Sequence, residues 1–299
     1  MSHPHWHGRS RRALRTAIAA LGPLLVAPPG GPPAVAAQEV PAAGPITLRI
    51  GPRAGARAEY RYEKHLDLRM PPELGGDVTT RTSLRLAQEV EETSLDSVAL
   101  RAEILEVRFE VEPAPADPPD LRALDGLRFR LVTTPAGRLL RVEMPGASGP
   151  LGRALREQVE SWFRELGFPA LPAGPARVGD AWTDTTRVPL ASLLGLRSEA
   201  QVLEIRTTTL TGFERGPGGR TARLEVRTEW SGTQGPVEAP DLRVEGSGTQ
   251  TVEFEADAGR FRRAAGTSRV VVLLFDGTGA PARRIEAAGR HETRLVNGG

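Results

Sequence analysis

The chain has 299 residues, 39% hydrophobic and 25% charged, an ordinary globular balance. It has no cysteine, which excludes disulfides, a Cys-rich structural zinc site and a lipidated N-terminal cysteine. Its 39 basic and 37 acidic residues give a net charge of +2, but residues 1–37 hold four arginines and no acid; the remainder carries 35 against 37, so a basic face for nucleic acid is not indicated.

Residues 1–37 read as a cleaved export signal. Arg9, Arg11, Arg12 and Arg15 form the basic region, Thr16–Ala27 the short apolar core, and Ala34-Val35-Ala36 or Val35-Ala36-Ala37 the small-residue cleavage site. Ser10-Arg11-Arg12-Ala13-Leu14 is similar to a twin-arginine signal, but Arg15 stands where that motif prefers an apolar residue, which favours general secretion. No later apolar run is long enough to span a bilayer, so the address is periplasmic or secreted. Residues 38–56, rich in Ala, Pro and Gly, read as a flexible lead-in with one short strand at 46–50.

Arg57–Met70 is a strand by strict alternation. Ala58, Tyr60, Tyr62, Lys64, Leu66, Leu68 and Met70 fall on one face, and charged residues fill the other. This is the pattern of an antiparallel sheet wet on one side. Val78–Glu91 repeats it. Ser97–Val111 gives a third strand whose apolar phase runs through Val98, Leu100, Ala102 and Ile104, then switches to Leu105, Val107, Phe109 and Val111; the switch predicts a β-bulge. Pro113–Asp120 is a proline loop, and 127–132 with 138–144 form a hairpin.

Helical period appears once after the leader, over 150–166. Leu151, Leu155, Val159, Trp162, Phe163 and Leu166 share a face opposite Arg153, Arg156, Glu157, Glu160 and Arg164. Pro150 suits the first turn, Gly167 a left-handed stop with Phe168 folding back onto Phe163, and Pro169 blocks continuation. Strand-like runs resume at 181–188, 199–213, 221–230, 244–256, 259–275 and 283–296. Two local matches suggest a duplication: Ala136-Gly137-Arg138 with Ala258-Gly259-Arg260, and Arg53-Ala54-Gly55 with Arg177-Val178-Gly179. The predicted fold is therefore mainly β (α+β), a curved antiparallel sheet or half-barrel. One β-rich domain over 57–296 consists of two quasi-repeated halves, 57–144 and 176–296, joined by the helix.

Catalytic motifs are lacking. There is no nucleophile elbow, phosphate loop or calcium loop, and only His65 and His291 follow the leader, so neither a metal site nor a cofactor is expected. His65 lies among charges, and His291 reads as partly buried and hydrogen-bonded. Lys64, the only lysine, stands on an apolar face; it either snorkels or pairs with a carboxylate, or it faces a ligand's anionic group.

The leader, the long alternating strands and the single amphipathic helix resemble exported β-rich envelope proteins of bacteria, including carriers of the LolA/LppX kind. The resemblance implies a half-open barrel with a helix across its concave face, but no family residue maps onto a position here. One helix covers only part of so large an apolar sheet face. The first expectation is thus a non-enzymatic exported protein sheltering an apolar small molecule or lipid, with Leu155, Val159, Trp162 and Phe163 as one wall and Tyr60, Tyr62, Lys64, Leu66 and Leu68 as the other. The alternative is a structural or interaction protein of the envelope with a filled core and a protein partner. A carboxylate-based hydrolase stands behind both.

Overall fold

In a computed structural model, which describes residues 44–51, 53–114, 121–146, 149–194, 200–216, 219–235, 241–276 and 280–298, the first strand lies in the middle of the sheet. Strands β1 (Arg57–Arg69), β2 (Val78–Thr93), β3 (Val98–Glu112), β4 (Arg128–Thr133) and β5 (Leu139–Glu143) meander outward to one edge. Helix α1 (Gly149–Glu165) then carries the chain to the opposite edge. From there β6 (Ala181–Pro189), a five-residue helix α2 (Leu190–Leu194), β7 (Gln201–Gly216), β8 (Gly219–Gln234), β9 (Leu242–Glu255), β10 (Arg260–Phe275) and β11 (Pro281–Gly298) meander back. The meanders join where β11 pairs antiparallel with β1, from Ala58 opposite Gly298 to Arg69 opposite Glu286. The result is one curved, eleven-stranded antiparallel sheet, not closed into a barrel, as the alternation predicts. The leader (1–37) lies outside the described residues.

The predicted bulge is present. Arg85 pairs with Glu106 and Leu86 with Ile104, so Leu105 has no partner position on β2, and the buried phase passes from Ile104 to Val107. Asp125, which follows the short helical turn after β3, accepts a hydrogen bond from the Val107 backbone just beyond the bulge (3.0 Å).

The halves share details beyond the two sequence matches. Gly55 N–H donates to Val90 O and Val90 N–H to Ala56 O; Gly179 N–H donates to Leu210 O and Leu210 N–H to Asp180 O. Register shifts immediately after Val90 and after Leu210. Gly137 and Gly259, both at positive φ, turn the β4–β5 and β9–β10 hairpins. On these points β1–β5 correspond to β6–β10, and β11 stands outside the correspondence.

Different segments cover different parts of the apolar face. Val159 and Leu166 seal a cluster containing Tyr62, Leu84, Leu86, Ile104, Phe129 and Leu131. Ile46, Leu48, Leu171 and Ala176 seal a second around Tyr60, Leu224, Phe254 and Phe261. The short helix α2, which its five residues are too few to announce in sequence, packs Leu190 and Leu194 over Leu66, Leu68, Trp230 and Val272. Residues 44–51 make an isolated bridge at Ile46–Ala176 rather than a strand, and Ile50 N–H donates to Pro135 O (2.8 Å). Arg138, beside the β5 edge, forms an ion pair with Asp184 on the β6 edge (2.6 Å).

Leu48 is 1% exposed within the second cluster. Leu48→Ala should therefore cost about 2–5 kcal/mol in urea unfolding; a loss of only a few tenths would show that this segment is not part of the cooperative fold.

Candidate functional site

The inward-facing positions are not apolar throughout. Cross-strand pairs run from Lys64 to His291, then Gly266, then Gln250. One step along the strands the row is Leu66, Gly289, Ser268, Gly248, Thr228 and Arg206. The next is Leu68, Ala287, Val270, Gly246, Trp230 and Glu204. Polar side chains and glycines thus form a patch in the middle of an apolar face.

The glycines make room. A Cβ on Gly246 would lie 3.2 Å from Trp230 Cε3, and one on Gly248 3.0 Å from Trp230 Cη2, so the indole rests directly on these two backbones. That position lets Trp230 Nε1 donate to Glu204 Oε2 (2.8 Å), while Arg206 Nε pairs with Glu204 Oε1 (2.8 Å). Glu204 is 4% exposed, and a carboxylate so buried persists because both oxygens are held.

The C-terminal end of α1 comes down on this patch. Thr293 Oγ1 donates to Leu166 O (2.7 Å), and Gln250 Nε2 donates to Gly167 O. Leu166 and Gly167 directly follow the last helical residue, Glu165, so neither carbonyl has a partner within the helix. Gly167 has φ 78°, the predicted left-handed stop, and the approach is so close that a Cβ there would lie 2.9 Å from His291 Nε2.

Beside this contact is a cavity of about 120 Å³, bounded by Tyr62, Lys64, Leu66, Ser161, Arg164, Val188, Glu204, Arg206, Thr228, Gln250, Ser268 and His291. Arg164 stands at its rim with a side chain 42% exposed. His291 Nε2 is buried without a hydrogen-bond partner, so at this nitrogen the expected hydrogen bond is not made. Burial first, then the charges of Lys64 and Arg206, push the His291 pKa down to about 4.

The sequence-predicted residues do not gather around one cavity. Tyr62 lies in the first cluster together with Leu155, Val159, Trp162 and Phe163, and the gap left beneath that part of α1 is about 10 Å³. Tyr60 lies in the second, where Phe168 meets it edge-on (5.3 Å) and stacks on Phe261 (4.2 Å), next to a gap of about 50 Å³. Burial raises the Tyr60 phenol's pKa. Lys64 and Leu66 line the polar cavity. Sequence reasoning passed over Glu204, Arg206, Trp230, Gln250, Ser268 and Thr293. Their signal was polar or glycine residues at the inward phase of strands that are otherwise apolar there, as with Gly246, Gly248 and Gln250 leading to Val252 and Phe254.

A wider depression of about 1330 Å³ lies along the charged side chains of the opposite face. Its arginines largely meet carboxylates, as in Arg263–Glu292 (2.7 Å) and Arg108–Glu106 (2.5 Å), which marks a solvated ion-pair lattice. Among the described residues no three His, Asp or Glu side chains are grouped to hold a metal ion. No helix among them is long and apolar enough to cross a membrane.

No protein-family model and no curated protein matches the chain. Among solved structures it is similar to lipovitellin, in a study of lipid–protein interactions, at 11% identity and TM-score 0.45; the match covers 83% of this chain and 26% of that one. The chain therefore spans about a quarter of the lipovitellin length. It is also similar to an exported protein with a YmcC-like fold from Bacteroides fragilis (10% identity, TM-score 0.25, 84% and 99% covered). A third is OccK11 (OpdR) of Pseudomonas aeruginosa (9%, TM-score 0.18, 85% and 98% covered). None supplies a residue correspondence.

Because the fold holds His291 well below its usual pKa, the unfolded chain binds the proton first as pH drops below about 6.5. This contribution to stability is present above that value and is lost progressively towards pH 4. Between pH 7 and pH 5 the group should remove about 2 kcal/mol of stability. Urea unfolding of the native chain and of His291→Asn at both pH values should show that pH-dependent difference in the native chain alone.

Proposed function

We propose that the chain is exported through its N-terminal leader and acts without catalysis, sheltering an apolar ligand in the seam between α1 and the sheet. The observation that carries this reading is where the inner gaps lie. The gap of about 10 Å³ borders Val159, Trp162 and Phe163, the gap of about 50 Å³ borders Phe163, and the cavity of about 120 Å³ borders Ser161 and Arg164. All three follow the helix.

Ligand pockets for small molecules usually measure roughly 300–1,000 Å³. An alkyl chain is therefore accommodated only when α1 moves. The helix is held by hydrogen bonds at its C-terminal end, from Thr293 and Gln250, while Gly146, ahead of it, and Gly149, its first residue, both adopt positive φ. Movement about the fixed C-terminal end would expose Leu84, Leu86, Ile104, Phe129 and Leu131 opposite Leu155, Val159, Trp162 and Phe163.

The small volumes favour a second reading, a structural or interaction protein of the envelope whose core is simply filled. Catalysis by a carboxylate pair draws no support from the polar cavity: its one carboxylate, Glu204, is already held by Arg206 and Trp230.

The absence of cysteine makes a direct test simple. Val159 and Leu84 border the same gap, so Val159→Cys with Leu84→Cys places two thiols across it that a short reducible thiol-reactive cross-linker can join. The apolar dye N-phenyl-1-naphthylamine should bind saturably to the native and reduced forms, and the cross-linked form should exclude it. Native mass spectrometry after gentle purification should show a co-purifying apolar species. Equal dye uptake in both redox states, or no uptake and no bound species, would establish the filled-core reading instead.

A further inference from the structure

We propose that the gap of about 50 Å³ beneath Phe163 and Phe168 seats the carbonyl group of the ligand, with Gln88 Nε2 as its hydrogen-bond donor, so that the sheltered molecule is a neutral acyl ester or amide. This rests on the apolar-seam reading and names the chemical class that the seam takes.

Among the described residues two buried side-chain polar atoms have no hydrogen-bond partner, His291 Nε2 in the polar patch and Gln88 Nε2 here. Gln88 stands on β2 at the inward phase, between the buried Leu86 and Val90. Its cross-strand neighbours are Ala58 on β1 and Ala102 on β3. Two alanines thus flank the amide and leave beside it the room that larger side chains would fill. Opposite are Phe163 and Phe168 at the end of α1, with Tyr60, Phe261 and Ile50 completing the wall. An amide here is unfavourable by itself, because a buried donor left unmet has lost its hydration and gained nothing. A seam that only had to be filled would be better served by Leu or Met at position 88.

The other polar groups of the wall are engaged. The Tyr60 phenol is hydrogen-bonded to the Phe261 backbone. Arg57 pairs with Glu89 (3.2 Å) and Arg260 with Glu255 (2.7 Å). The gap therefore offers one neutral donor and no spare cation. A carboxylate or phosphate would enter without a counter-charge, and a pure hydrocarbon would leave the amide unmet. An ester or amide carbonyl accepts the one donor and brings no charge. Size agrees: about 50 Å³ is the room of roughly one or two waters, enough for a single carbonyl group. Phe163 borders both this gap and the one beneath Val159 and Trp162, so the acyl chain continues from the seat into the part of the seam that movement of α1 opens.

The test uses the full chain at pH 7, with N-phenyl-1-naphthylamine as the bound dye and three competitors. These are methyl decanoate, decyl methyl ether, which lacks only the carbonyl oxygen, and decanoate. The ester should displace the dye at a concentration about tenfold lower than the ether, the worth of one buried hydrogen bond. Decanoate should compete less well than the ester. The carbonyl resonance of carbon-13-labelled methyl decanoate should move downfield on binding. Gln88→Met nearly keeps the volume and removes the donor; Gln88→Leu is the second variant should the first not fold. Either should take up the dye as the native chain does, bind ester and ether equally, and lose the downfield shift. Without ligand it should also unfold at a higher urea concentration than the native chain, whereas loss of a structural amide would lower that midpoint. If the native chain does not distinguish ester from ether, if the preference survives in the folded variant, or if decanoate binds as tightly as the ester, Gln88 is not a carbonyl seat, even with dye bound in the seam. No uptake of dye, ester or ether removes the seam reading and this one together.

Discussion

The fold depends on fixing a crossover at its midpoint. Two antiparallel meanders start from opposite ends of the chain and are joined strand to strand where β1 pairs with β11. The chain between them must leave one sheet edge and reach the other, and α1 does this across the apolar face. A helix that ends over such a face exposes carbonyls to a surface with few donors. Thr293 on β11 and Gln250 on β9 supply them, at positions 127 and 83 residues away from the groups they satisfy. Each contact is an ordinary hydrogen bond of about 1 kcal/mol net, yet leaving a buried carbonyl unmet costs about 1–3 kcal/mol. Together they fix where the crossover passes over the central strands.

That solution shapes everything near it. Polar side chains on the inner face need company of their own kind, and the helix terminus needs space. Glycines at 246, 248, 266 and 289 provide the space by withholding side chains. Trp230 refills part of it by lying on two of them, and in doing so reaches Glu204, which in turn fixes Arg206. The part not refilled is the polar cavity. The apolar seam shows the opposite economy: beneath Val159 and Trp162 the side chains interdigitate until about 10 Å³ is left. One face thus holds two environments, dry and packed under the body of the helix, polar and loosely filled at its end.

How much of this can be read from residues alone follows from the range of the forces involved. Alternation in β1, the phase switch after Ile104 and the glycine stop at 167 are local, and each predicts the observed geometry. The fold class followed from them. The pairing of β1 with β11 is not local: nothing in Tyr60 or Leu295 specifies the other across more than two hundred residues. Packing of Ile46 and Leu48 was only half legible: Ile46, Leu48 and Ile50 alternate with Thr47 and Arg49, which predicts a short strand, but nothing local says that these side chains fill the core beside Tyr60. For the site, Lys64 stood out as a lone cation among apolar neighbours. Arg206 did not, since it sits in a strand dense with threonine and arginine, where an inward charge looks like any other. Gln250 and Thr293 gain their roles only from a helix end brought to them by the fold.

Gln250 belongs to both environments. Its amide caps α1 through Gly167 and also forms part of the cavity wall. Displacement of α1 would take the Gly167 carbonyl away from this donor and leave a buried amide unmet, at a cost of about 1–3 kcal/mol, so the side chain that walls the cavity also holds the helix end in its place.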